Sequence, residues 1–354
     1  MKTIHTILLL SLTALLLTSC VREEEVAGRQ NEQAVMITLG AESRAGDASG
    51  DLADHYINSL RILGYRTSDG TLAFNKMALG LPAVSDNLNE IERKIEVITG
   101  KFTIVLIANE HSEVDSNTNG ISDLSELLNG ITATNNNKIS YLQGLSFSHL
   151  AFDTSKNIPM VAIKENIIIQ GDDMLVEEGV SYTKWGVVLT RIGIRVDVKL
   201  KLTDAQMDDW QMPTVPAHSG RVYFNNVPEK AYIFPGIDNS DVFVADYTKY
   251  AAPTPATIPV DGDGLNVFVC QRIILPETNS PTLDKPQALT IKVMENNIWR
   301  TGTLTSSPSV YTLPRNYYID VTATMPVSDT EITITSTVTP WDDISIPIDD
   351  LEGP

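Results

Sequence analysis

The chain has 354 residues, 26 Lys and Arg against 45 Asp and Glu, and a formal net charge of −19. Apolar residues make up 42%, a globular composition that excludes global disorder and is long enough for one large domain or two ordinary ones. So acidic a chain is repelled by nucleic acid and by anionic lipid surfaces, and 2 cysteines cannot build a disulfide framework.

At the amino terminus Lys2 precedes an apolar run, Ile4 to Leu17, that is too short to span a bilayer. The run ends in Leu17, Thr18, Ser19 and Cys20. This resembles a bacterial lipobox, in which small residues let a signal peptidase cut before a cysteine that then carries lipid. Residues 1–19 are therefore expected to be a signal peptide. Cys20 is expected to carry a covalent lipid, with no other cofactor. The acidic run Val21 to Glu25 reads equally as a solvated tether and as a signal for the outer face of the outer membrane in some Gram-negative bacteria. With Cys20 committed, Cys270 in V-F-V-C reads as a small core residue.

Beyond the tether the dominant period is two. The first strand is expected over 34–39, with Val35, Ile37 and Leu39 on one face. Further strands are expected at 57–63 and 102–108. Between them and the next strand, Asp115 to Glu126 matches the calcium-loop template, with Asp115, Asn117, Asn119, Glu126 and the Ile121 carbonyl as ligands. An ordinary polar loop explains the same residues and is preferred, because the preceding segment is a strand rather than a helix. Leu124, Leu127, Leu128 and Ile131 follow at helical spacing behind Ser122.

A strand is expected at 160–169, and the clearest alternation comes at 192–202. There Ile192, Ile194, Val196, Val198, Leu200 and Leu202 oppose Arg195, Asp197, Lys199 and Lys201, the pattern of a half-buried strand. A short helix is expected at 203–211, and strands at 221–224, 265–275, 288–294, 317–325 and 331–338. The fold class is mainly β: two β-sandwich-like (transthyretin-like) lobes with few short helices. Their expected extents are 45–187 and 188–330.

In the tail, Ile332, Ile334 and Val338 alternate with threonines, and Ile344, Ile346 and Ile348 repeat the pattern. Pro340 and Pro347 suit an edge or donor strand better than a central one. Residues 331–354 are thus a candidate donor appendage; the other reading is a last strand followed by an acidic tail.

Several stretches together resemble the fimbrillins, the type V pilin family of lipoprotein-derived fimbrial subunits. They are the lipobox, A-V-M-I-T-L with Ser43 to Gly46, I-V-L-I-A-N at Ile104 to Asn109, and T-R-I-G-I-R-V-D-V at Thr190 to Val198. L-P-R-N-Y-Y-I-D-V-T at Leu313 to Thr322 and T-V-T-P-W at Thr337 to Trp341 complete the set. The resemblance implies a non-enzymatic subunit that travels as a lipoprotein to the cell outer membrane. An Arg-specific protease then cuts near the N-terminus, the first strand leaves, and a strand of another fimbrial subunit fills the groove. The mature protein would lie in the fimbrium and serve adhesion. The informative bond is Arg44–Ala45, because Arg22 and Arg29 lie upstream of the first strand and a cut there leaves the groove filled. Residues 20–44 would then be a lipidated propeptide.

The competing reading is a surface glycan-binding lipoprotein, in which Trp185, Trp210, Trp299 and Trp341 would stack on sugars; core or rim positions are the plainer role for them. A secreted hydrolase has the least support. The sequence holds no G-x-S-x-G, H-E-x-x-H, phosphate-binding G-x-x-x-x-G-K-[ST] or C-x-x-C, and its histidines lack metal-ligand spacing.

Overall fold

The computed structural model describes residues 32–43, 56–79, 90–110, 124–148, 157–171, 174–201, 221–225, 227–228, 230–237, 243–244, 247–251, 266–277, 290–295, 298–303, 315–324 and 333–340. In chain order the first strands are β1 (Ala34–Ser43), β2 (Leu60–Arg66), β3 (Leu72–Leu79), β4 (Glu90–Ile98) and β5 (Gly100–Ala108). Next come helices α1 (Leu124–Asn129) and α2 (Ile139–Gly144), then β6 (Ser146–Ser148), β7 (Met160–Gln170), β8 (Met174–Glu177), β9 (Val180–Tyr182) and β10 (Lys184–Arg191). The second half holds β11 (Ile194–Lys201), β12 (Arg221–Asn225), β13 (Val227–Pro228), β14 (Lys230–Tyr232), β15 (Phe243–Val244) and β16 (Tyr247–Ala251). It ends with β17 (Asn266–Leu275), β18 (Thr290–Glu295), β19 (Ile298–Thr303), β20 (Tyr317–Thr324) and β21 (Thr333–Pro340).

The chain is mainly β with few short helices, as its alternation and turn residues predict. A nine-stranded sheet runs β3-β2-β5-β7-β10-β1-β4, with the β8–β9 hairpin attached to β7. That hairpin turns on Glu178 and Gly179, both at positive φ, which is the backbone that matches the twist of two-residue hairpins. The two ends of the order, β3 and β4, approach within 8 Å, so the sheet curls around its own apolar face. Inside lie Ile37, Leu39, Ile62, Phe74, Ile95, Phe102, Ile104, Trp185 and Leu189, all buried. Gly64 is open enough for the Phe74 ring to lie on it; a Cβ there would stand 2.3 Å from that ring. Phe74 in turn meets Phe102 edge-on, with centroids 5.4 Å apart.

On the other face of the sheet α1 buries Leu124 and Leu128 against Leu63, Val105 and Ile107, and Ile131 follows in the same cluster. The helical spacing read from the sequence is thus a real helix, which ends at Asn129, before the last apolar residue of the stripe, Ile131. The expected helix at 203–211 lies outside the described residues.

The second half forms two four-stranded sheets, β17-β11-β20-β21 and β16-β12-β18-β19. Most ladders are antiparallel, but β1 with β10 and β11 with β20 are parallel.

Two expectations are corrected here. The division at 187/188 falls inside β10, which pairs with β1 and β7; the chain changes sheet at Ile192–Gly193. Nor is β11 half-buried over its first turns. Arg195 and Asp197, expected to face solvent, are 3% and 2% exposed. They bond each other in a fork, Nε to Oδ1 and Nη2 to Oδ2, both at 3.1 Å. Alternation separates two faces but does not say that the polar face is wet.

The lobes are tied together. Ile192, Ala231, Ile233 and Ile274 complete the cluster built on Leu63 and Val105, and β6 pairs with β14 across the change of sheet. Arg315 closes the junction: its Nη1 donates to the Ile233 carbonyl at 2.7 Å, its Nη2 to Tyr232 and Phe234, and the same guanidinium pairs with buried Glu277.

Candidate functional site: the groove that holds β1

Residues 34–43 form a strand because apolar side chains alternate with small or polar ones, and nothing in the stretch breaks a ladder. β1 lies inside the sheet, antiparallel to β4 from Ala34↔Ile98 to Glu42↔Glu90 and parallel to β10 from Thr38↔Lys184 to Ser43↔Leu189. Ile37, Leu39 and Ala41 are 0–1% exposed, and Val35 packs half-buried against the same core. Burial of each large side chain stabilises β1 by roughly 1.5–3 kcal/mol. Among the described residues β4 pairs with β1 alone. Taking β1 away would open an apolar trough, leave β4 without a partner among the described residues and bare the edge of β10 that faces β1.

Two polar contacts hold the strand in place. At its leading end Glu32 receives both Nε and Nη2 of Arg66, at 2.6 and 2.8 Å. Arg66 also donates to the Leu72 carbonyl at 3.0 Å. The hydrogen bond to Glu32 raises the Arg66 pKa further above its ordinary value. Gln33 and Thr99 exchange backbone and side-chain bonds beside it. Farther along, Lys184 of β10 reaches Glu92 of β4 at 2.7 Å. Its Cε stands 3.5 Å from the place of a Gly40 Cβ, so this ion pair lies over the outer face of β1. It is exposed and therefore weak.

The remaining sequence-predicted residues fall as follows. Cys20, Arg44, Ala45, Ile332, Ile344, Ile346 and Ile348 lie outside the described residues, as do Asp115, Asn117, Asn119 and Ile121. Glu126, the last candidate calcium ligand, is exposed on α1, and among the described residues no group of His, Cys, Asp and Glu is arranged to hold a metal. Ile334 and Val338 lie in β21, whose backbone pairs with β20 at the edge of its sheet, Ile334 with Ala323 and Val338 with Ile319. Trp185 is buried, and its Nε1 donates to Glu177 at 2.7 Å; this removes it from any sugar-stacking surface. Sequence reasoning missed β4, Glu32 and Arg66. Alternation could not find β4, because E-I-E-R-K-I-E-V-I reads as a charged, almost helical stretch.

Residues 34–183 match the family model described as major fimbrial subunit protein (FimA), beginning on the first residue of β1. Over most of the chain the fold is similar to those of two solved fimbrial proteins. A C-terminally truncated tip fimbrial protein Mfa3 from Porphyromonas gingivalis superposes with a TM-score of 0.54 at 10% identity, covering 87% of this chain and 100% of that one. The fimbrilin FimA of Porphyromonas gingivalis W83 gives 0.51 at 12% identity, covering 86% and 97%. No match is found among curated proteins. The groove around β1 is where a protein strand is already held by both of its edges.

Proposed function

We propose that the chain is exported as a lipoprotein on Cys20, reaches the outer membrane, is cut after Arg44 by an Arg-specific protease, and polymerises by donor-strand exchange. Residues 1–19 act as the signal peptide and 20–44 as the propeptide that carries β1 away. The observation that supports this reading is the position of β1. It is the only strand before Arg44 among the described residues, and it is buried between β4 and β10 with Ile37 and Leu39 in the core. A cut after Arg44 makes it the one core strand that can leave without unthreading the chain. The vacated trough offers unpaired edges on both sides and apolar sites at every second position, which is the requirement for β-strand addition.

The donor would come from residues 331–350 of a neighbouring subunit. Of its two halves, 333–340 is already paired with β20, so the donor role falls to the alternating triplet Ile344, Ile346 and Ile348, which lies outside the described residues. An Arg-specific protease added to the purified precursor is expected to remove residues up to Arg44 and give a ladder of oligomers. Arg44→Ala should remain uncut at that bond and monomeric. Complete cutting after Arg44 with no oligomer would overturn the proposal.

A further inference from the structure

Where β1 begins, the sheet carries an open cavity of about 510 Å³ lined by Glu32, Arg66, Thr67, Ser68, Thr99 and Lys101 among others. Among the described residues the one carboxylate in its lining, Glu32, belongs to the segment that departs in the strand-exchange reading. Its cations, Arg66 and Lys101, belong to the part that stays. With Glu32 in place the Arg66 side chain is half-buried, at 26% exposure; when Glu32 goes, the Leu72 carbonyl still orients Arg66 and a planar fork is vacated. A guanidinium so placed accepts a carboxylate in bidentate geometry and discriminates against neutral groups.

We propose that the Arg66 cavity is a carboxylate-binding site that captures and registers the incoming strand of a second copy of this chain. The inference rests on the strand-exchange reading and adds a specific receptor to it. A strand that reproduces the present ladders must run as β1 does, antiparallel to β4 and parallel to β10. It therefore enters the Arg66 end with its leading residues. In the tail, Asp342 and Asp343 lead Ile344, Ile346 and Ile348. Setting these three isoleucines on Val35, Ile37 and Leu39 brings Asp342 and Asp343 to positions 33 and 34, beside the place of Glu32. Pro347 then takes the position of Thr38 and forgoes one ladder hydrogen bond, a cost that the ion pair offsets.

The test separates a receptor from a mere clasp on β1, because the two make opposite predictions. If Arg66 only retains Glu32, weakening it frees β1 and speeds polymerisation after the cut. If Arg66 also receives the donor, Arg66→Gln and Arg66→Glu release β1 faster yet polymerise more slowly, by about tenfold for the loss of one charge-assisted pair. Glu32→Gln is the control: it should speed release and leave capture intact. A fluorescent peptide of residues 341–354 should bind the cut protein about tenfold more tightly than its Asp342→Asn, Asp343→Asn version, a difference that Arg66→Gln abolishes. Equal binding of the two peptides, or polymerisation of the Arg66 variants at or above the wild-type rate, overturns the capture site while wild-type polymers leave strand exchange standing. Absence of polymer from cut wild type overturns both.

Discussion

Asn109 shows how one side chain can replace a length of secondary structure. It ends β5 in the left-handed region, at φ 59, a backbone that asparagine tolerates better than most residues. Its side-chain oxygen accepts from the Asn58 N–H at 2.8 Å, and its Nδ2 donates to the carbonyls of Tyr56 and Ile158 at 2.9 Å each. Three segments converge there just past the ends of the β2–β5 and β5–β7 ladders, and the groups that Asn109 bonds stay satisfied inside the protein. Tyr65 is the opposite case. Its hydroxyl is buried with no partner among the described residues, and burial pushes its pKa well above the ordinary 10.0. Tyr318 is pushed the same way, by burial first and then by Asp197 and Asp320. A phenol whose folded pKa lies above its unfolded value favours the folded state below the unfolded pKa. Tyr65 therefore contributes stability that is fully present below about pH 10 and disappears as pH climbs from there toward the folded value. Tyr65→Phe should leave stability at pH 7 within about 1 kcal/mol of wild type and flatten the alkaline loss, as read from urea titrations between neutral pH and pH 11.

β1 and β4 mark what alternation reveals about an element and what it hides. β1 was legible because its inward face is apolar throughout: Val35, half-buried, then Ile37, Leu39 and Ala41, all buried. β4 buries Ile91, Ile95 and Val97 but exposes Arg93 at the same parity. Its outer face carries Glu92, Lys94 and Glu96, as befits a strand at the end of a sheet. The pattern breaks because a protruding edge need not bury every alternate residue. Leu39 is the deepest point of β1, at 0% exposure. Leu39→Ala should cost about 2–5 kcal/mol in the uncut protein through lost burial and a cavity. The same variant should shed β1 sooner after cutting at Arg44, measured as the rate at which the propeptide separates by gel filtration.

Across the whole molecule the two halves share a core, so they should not unfold separately. Arg315 concentrates that coupling: it holds three consecutive carbonyls beginning with the last residue of β14 and pairs with Glu277, both side chains under 10% exposed. Arg191 of β10 adds a bond to Asn316 at 3.1 Å, and the Asn316 N–H donates to the Gly193 carbonyl at 2.8 Å. Gly193 must be small, since a Cβ would meet Ile274 at 2.9 Å. Arg315→Ala leaves the Glu277 carboxylate buried without its cation, and the expected loss is about 3–5 kcal/mol. Calorimetry should show one transition for wild type and, in the variant, a lower melting temperature with the two halves beginning to separate. This junction explains why T-R-I-G and P-R-N could be noticed as unusual strings while their purpose stayed hidden. Their residues lie more than a hundred positions apart and acquire meaning only in contact.

By itself the sequence determined the mainly β class, the strands with clean alternation, the apolar face of β1 and the helix at Leu124. Each follows from local periodicity, which a chain carries whatever its partners. Only the tertiary structure decided that β1 sits between a parallel and an antiparallel neighbour, that Arg195 and Asp197 are buried, and that Glu32 closes on Arg66. Those outcomes depend on which distant segments meet. A charge is wet or buried, and a strand is edge or centre, according to what lies across from it.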